Sequence, residues 1–178
     1  MPLPESEVRA LMRAEHGDPF AVLGPHRDDD GLWVRALLPG ALSVAVVQAS
    51  SGCPLAELER QGNSGLFAAL VPAAEANLGY RLQVDWGTHT SLLEDPYRFP
   101  PVLGYTSVWL LGEGTHLRPF ERLGAHLREM DGVTGVAFAV WAPNARRVSV
   151  VGDFNQWDGG PHMMRLCREC GLWGSFSP

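Results

Sequence analysis

The stretch that decides the fold is Tyr80-Arg-Leu-Gln-Val-Asp-Trp86, in which apolar and polar side chains alternate until Gly87 ends the run. Alternation with a period of two places successive side chains on opposite faces of a β-strand. Three earlier runs have strand character and end near proline, glycine or serine: Leu32–Leu38, Leu42–Val47 and Leu66–Val71. Short strands at this spacing predict an antiparallel β-sandwich of the immunoglobulin-like kind.

One segment shows the helical period. Three apolar residues recur at helical spacing within Glu5–His16, and Gly17-Asp-Pro19 ends the run. We therefore predict one short N-terminal helix. Leu55–Arg60 is a weaker candidate for one or two further helical turns.

The chain contains an internal repeat. Pro19-Phe-Ala-Val-Leu-Gly-Pro-His26 recurs as Pro119-Phe-Glu-Arg-Leu-Gly-Ala-His126, with five of the eight positions identical. Two further pairs of segments follow in the same order, 39–47 with 143–151 and 65–72 with 171–178. Three collinear matches predict two related β-modules in tandem.

The second module is expected to be incomplete. The first module continues through Gly79–Trp86 to Asp95–Phe99, and the sequence holds no second copy of these segments. A sandwich without its last strands leaves an open edge, through which copies of the chain could associate. Some apolar side chains of the second module should therefore be more exposed than their counterparts. The aligned pairs are Val148 with Val44, Val150 with Val46, and Trp173 with Phe67.

The composition excludes several classes of protein. The net charge is −6, which gives no basic surface for nucleic acid or an anionic membrane. All 14 basic residues are arginine, so a P-loop lysine or a Schiff-base lysine is impossible. The sequence shows neither a transmembrane run nor a signal peptide, and we expect a cytoplasmic protein.

Five motifs together resemble bacterial glycogen branching enzymes. The longest begins Asp131-Gly-Val-Thr-Gly-Val and ends Gly152-Asp-Phe-Asn-Gln-Trp-Asp158. The other four lie at Asp18–His26, Leu92–Phe99, Trp109–His116 and Leu123–His126. The resemblance covers nearly the whole chain.

The resemblance implies a role in glycogen biosynthesis. Branching enzymes of glycoside hydrolase family 13 transfer α-1,4-glucan pieces to α-1,6 linkages on a (β/α)₈ barrel that follows β-sandwich modules.

The resemblance also implies a domain organisation. It assigns residues 1–104 to the N-terminal helix and a leading module, and residues 105–117 to a linker. Residues 118–178 resemble a truncated carbohydrate-binding module of family 48. A barrel needs about 200 residues or more and its motifs do not occur here, so no catalytic residue is assigned. We expect the chain alone to be inactive and to need no cofactor.

Trp157 is the main candidate for contact with sugar. It lies between Asn155 and Gly159-Gly160, in a sequence typical of a turn. An exposed aromatic face stacks well on glucose, and Asn155 could hydrogen-bond the hydroxyl groups. The resemblance implies the same role for this tryptophan in family 48 modules. Plain packing is the alternative, since the second tryptophan and the lysine that usually assist it are not found here.

Other polar residues are interpreted as structural. Cys167-Arg-Glu-Cys170 provides too few ligands for zinc and lacks a thioredoxin-like context, so no metal site is predicted. His26 and His126 occupy equivalent positions in the repeat. We expect each of them to hydrogen-bond a backbone carbonyl after a turn.

The leading hypothesis is therefore the non-catalytic N-terminal portion of a glycogen branching enzyme, with glycogen or amylose as a weak partner. Two alternatives stay open: a stand-alone glucan-binding or regulatory module, and a truncated gene product without function.

Overall fold

The computed structural model describes residues 3–28, 31–72 and 79–178, which form two compact units. The first unit comprises residues 1–13 and 20–98, and the second comprises residues 14–19 and 99–178. All paired strands are antiparallel. The prediction of a mainly β protein with two antiparallel modules and a short N-terminal helix is confirmed. Within the described ranges, no helix is long and apolar enough to cross a membrane.

The described part of the first unit contains helix α1 (Glu5–Met12) and seven strands. The strands are β1 (Gly24–Asp28), β2 (Gly31–Leu37), β3 (Ser43–Gln48), β4 (Pro54–Arg60), β5 (Leu66–Pro72), β6 (Tyr80–Asp85) and β7 (Thr90–Leu93). Their spatial order is β1-β2-β5-β4-β3-β6-β7. Strand β4 connects the strands on its two sides, because it pairs with β3 along one part and with β5 through Glu59 and Arg60. Apolar side chains of β2 and β5 on one side, and of β3 and β6 on the other, meet in one core that includes Val34, Val46, Phe67 and Leu82.

The second unit contains helix α2 (Tyr105–Gly112) and a four-stranded sheet, all within residues 99–178. Its strands are β8 (Gly124–Met130), β9 (Val133–Trp141), β10 (Arg165–Cys167) and β11 (Leu172–Ser177), in the order β10-β11-β9-β8. A small core forms around Phe99 and Phe176, whose ring centroids are 4.6 Å apart.

Three local predictions are wrong. The N-terminal helix ends at Met12 rather than His16, because Ala14 adopts a left-handed φ of 51°. Leu55–Arg60 belongs to strand β4, since pairing with the strands on both sides overrides its helical composition. The single helix that the sequence predicts is joined by a second, α2, which lies within residues 105–117.

Burial in the first unit largely follows the alternation of side chains between the two faces of each strand. The strand pattern predicts that Trp33, Val44, Val46, Phe67 and Leu82 are mostly buried, and the last four are buried. Trp33 is half-buried, because β2 directs its even-numbered residues toward the core. Trp33 lies on the opposite face, where the Arg35 guanidinium carbon is 5.5 Å from its ring centroid.

The two units repeat the same local structure. Helices α1 and α2, the 3-10 turns Pro19–Ala21 and Pro119–Glu121, and the starts of β1 and β8 are each separated by 100 residues. The predicted role of the repeated histidines is confirmed. His26 Nε2 lies 3.1 Å from the Leu23 carbonyl oxygen, and His126 Nε2 lies 2.9 Å from that of Leu123.

The repeat extends to the paired strands. The β1–β2 hairpin has five residue pairs and the β8–β9 hairpin has seven, so the offset rises from 100 to 104. A glycine then contacts a proline backbone in each unit. A Cβ atom would lie 2.7 Å from the Pro39 Cα at Gly65, and 2.6 Å from the Pro143 Cα at Gly171. Both glycines therefore allow a close approach that a side chain would block.

The predicted difference in exposure holds for the valines only. Val148 and Val150 are half-buried, whereas Val44 and Val46 are 2% and 1% exposed. In the first unit β3 pairs with β4 on one side and β6 on the other. Among the described residues, 148–150 pair along one side, with 162–164. The prediction is wrong for Trp173, which is as buried as Phe67 because β11 lies between β9 and β10.

Candidate functional site

The candidate site is a loop that joins two antiparallel segments of the second unit. The Val150 N–H donates to the His162 carbonyl at 2.9 Å, and the Met164 N–H donates to the Val148 carbonyl at 2.9 Å. In the first unit Val46 pairs with Ala56, and Val44 with Leu58. The loop is thus the counterpart of the turn between β3 and β4.

The second unit's loop is longer than its counterpart. Val46 and Ala56 are ten positions apart (56 − 46 = 10). Val150 and His162 are twelve positions apart (162 − 150 = 12). The loop has therefore gained two residues, and these belong to the segment that carries Trp157.

The backbone of the loop is tightly wound. A 3-10 turn, Asp153–Asn155, is followed by two left-handed residues, Gln156 with φ 54° and Trp157 with φ 61°. A left-handed conformation costs a non-glycine residue about 1–2 kcal/mol. The Trp157 N–H donates to the Gly152 carbonyl at 3.0 Å, which helps to hold this conformation. Such conformations cluster at binding sites.

Asn155 stabilises the loop from inside. Its Oδ1 accepts a hydrogen bond from the Gly152 N–H at 2.9 Å, which fixes the orientation of the amide. Its Nδ2 then donates to the Val150 carbonyl at 2.9 Å and lies 3.3 Å from His162 Nδ1. The geometry gives Asn155 a structural role that its sequence position did not reveal. Its contact with sugar stays a prediction.

His162 closes the base of the loop. Its ring meets Phe154 edge-on, with centroids 5.2 Å apart and an interplanar angle of 88°. Because Asn155 directs its amide hydrogens toward Nδ1, this nitrogen serves as an acceptor in the neutral ring. Burial lowers the pKa of His162, while the nearby Asp158 carboxylate acts in the opposite direction.

Two aromatic rings of the loop are exposed to solvent. Trp157 is 67% exposed and Phe154 is 60% exposed. The Trp157 indole N–H donates to Asp153 Oδ1 at 3.0 Å, so the exposed ring is also held in place. A fixed, exposed indole ring offers a flat apolar surface of the kind that stacks on a sugar.

The cysteine pair of the second unit occupies a turn. The Cys170 N–H donates to the Cys167 carbonyl at 3.4 Å, and burial raises the pKa of the Cys170 thiol to about 11. A thiol with a high pKa remains protonated and is a poor metal ligand. Within 3–28, 31–72 and 79–178, no group of three or more His, Cys, Asp or Glu side chains is placed to hold a metal ion.

Comparison with protein families identifies both units. The family of the N-terminal domain of α-1,4-glucan branching enzyme GlgB matches residues 4–97. Carbohydrate-binding module 48, the isoamylase N-terminal domain, matches residues 122–178 and so includes the whole loop.

Solved structures show a more distant similarity. A pullulanase from Paenibacillus barengoltzii, complexed with maltotriose, is 22% identical over 39% of this chain and 11% of its own, with a TM-score of 0.32. The catalytic module of SpuA, a multi-modular glycogen-degrading pneumococcal virulence factor, is 22% identical over 51% of this chain and 14% of its own, with a TM-score of 0.35. The chain thus spans a small part of either protein.

Proposed function

Because this chain belongs to the family of the N-terminal domain of α-1,4-glucan branching enzyme, we propose that it is a non-catalytic, glucan-contacting part of a glycogen branching enzyme. Such an enzyme converts α-1,4 to α-1,6 linkages in glycogen biosynthesis. The role proposed for this part is to hold α-glucan chains, such as glycogen or amylose, through the second unit.

The exposure and fixation of Trp157 carry the proposal. A large aromatic ring that is 67% exposed contributes little burial free energy to the stability of the fold. Two consecutive left-handed residues also cost free energy, which the packing of the rest of the module must offset. A binding role accounts for both features, since a glucose ring would cover the indole and benefit from its fixed orientation.

The loop lies within the part of the chain that matches carbohydrate-binding module 48. Each successive glucose of an α-glucan presents the same apolar face, so an aromatic ring can stack on any glucose along the chain. We therefore infer a weak site that recognises the polymer rather than a defined end.

Native gel electrophoresis with amylose or glycogen in the gel tests the proposal. Migration of the wild-type chain should be retarded, and Trp157→Ala should remove most of the retardation. Trp141→Ala is the matched control, because Trp141 is similarly exposed (61%) but lies at the end of β9. Equal retardation of the wild type and Trp157→Ala would show that the loop is not the glucan site.

A further inference from the structure

The carboxylate of Asp153 is placed beside the ring of Trp157. Asp153 begins the 3-10 turn, and its Oδ1 accepts the indole N–H of Trp157 at 3.0 Å. Among the residues that the structure describes, this is the one hydrogen bond of the Asp153 carboxylate. Both side chains are exposed, so the bond does not serve a buried core.

The backbone of the loop has other supports. Asn155 bonds the Gly152 N–H and the Val150 carbonyl, and the Trp157 N–H bonds the Gly152 carbonyl. These bonds set the path of the chain and do not involve the indole ring. The Asp153 carboxylate does, because it bonds the indole N–H and so favours one orientation of the ring.

We propose that Asp153 is a positioning residue for the glucan platform, an inference that depends on the proposed role of Trp157. An indole held in one orientation loses less rotamer freedom when a ligand binds. Its N–H is already engaged, so the ring meets the sugar through its face and not through a hydrogen bond to a hydroxyl group. Affinity for glucan therefore depends on Asp153 although it need not touch the sugar.

A double-mutant cycle with maltoheptaose as the probe tests this inference. Asp153→Ala should weaken binding about three- to tenfold, the range of one ordinary hydrogen bond. Asp153→Asn should bind like the wild type, because its amide oxygen still accepts the indole N–H. In a Trp157→Phe background, which lacks that N–H, Asp153→Ala should have no further effect. Glu129→Ala, which removes one exposed negative charge from β8, is the control.

The indole N–H resonance of Trp157 gives a second measurement that needs no ligand. This signal, identified by its loss in Trp157→Phe, should shift most in Asp153→Ala, less in Asp153→Asn, and remain unchanged in Glu129→Ala. An unshifted signal, or an equal effect of Asp153→Ala in both backgrounds, overturns the positioning role while glucan binding stands. A wild type that fails to bind maltoheptaose, amylose and glycogen overturns the proposed function, and this inference with it.

Discussion

Substitution of Gly24 by alanine tests the packing of the first unit most directly. Gly24 has a φ of 86°, and an added Cβ would lie 2.7 Å from the carbonyl oxygen of Tyr97. A left-handed alanine costs about 1–2 kcal/mol. The clash with a backbone atom adds about 1–3 kcal/mol, because neither partner is a flexible side chain. We therefore expect Gly24→Ala to lower the free energy of unfolding of the first unit by about 2–5 kcal/mol.

Two other glycines separate the two contributions. Gly40 has a φ of 89° with no atom within 4 Å of the added Cβ, so Gly40→Ala measures the backbone cost alone in the same unit. Gly124, the repeat counterpart of Gly24, has a φ of 100°, and its nearest neighbour is His126 Nε2 at 3.9 Å. In both control variants the free energy of unfolding should fall by about 1–2 kcal/mol.

Hydrogen exchange measures the decrease in the free energy of unfolding separately for each unit, in β2 for the first and in β9 for the second. Losses that are equal for Gly24→Ala and Gly40→Ala would refute the predicted clash with Tyr97. A loss at Gly124→Ala as large as that at Gly24→Ala would refute the difference between the units.

Four other outcomes are expected. Burial raises the pKa of Asp95 to about 6, so the first unit loses stability as the pH rises through that value. Urea unfolding should therefore show it to be about 1 kcal/mol more stable at pH 5 than at pH 7. Asp95→Asn should remove this difference. The second unit should lose stability as pH falls below the ordinary histidine pKa of 6.5, because the pKa of His162 is lowered in the fold; His162→Gln should weaken this dependence in the same assay. The chain alone should leave the iodine spectrum of amylose unchanged, and an increase in branching would contradict a non-catalytic role. Residues 133–176 should exchange hydrogen faster than residues 32–86, because the core around Phe99 and Phe176 is smaller than the core of the first unit; equal exchange would contradict this.

The β-strands of the first unit could be predicted because each is a run of apolar or alternating residues between turn residues. Strand β4 could not, since Leu55–Arg60 favours helix by composition and becomes a strand through its neighbours. Helix α2 was missed for a different reason. It follows Gly104 without a side-chain cap and has no polar face, so it shows neither a start signal nor a helical period. The repeat at an offset of 100 was the signal that could have revealed it.

The candidate site could be predicted in part. The turn at Trp157 followed from the glycines around it, but the bonds of Asn155 did not. Its partners, Val150 and Gly152, are positioned by pairing with His162, and that pairing is a tertiary contact. The Asp153–Trp157 hydrogen bond depends on two left-handed residues, which the residue types alone do not favour.

The longer β8–β9 hairpin differs from the β1–β2 hairpin in reach. It has two residues more in each strand than the β1–β2 hairpin, which moves its tip outward by about 7 Å at roughly 3.3 Å per residue. An even step in each strand keeps the same kind of residue pair next to the turn, because hydrogen-bonded and non-hydrogen-bonded pairs alternate along antiparallel strands. The four additional residues therefore extend the β8–β9 hairpin without changing the kind of pair that precedes its turn.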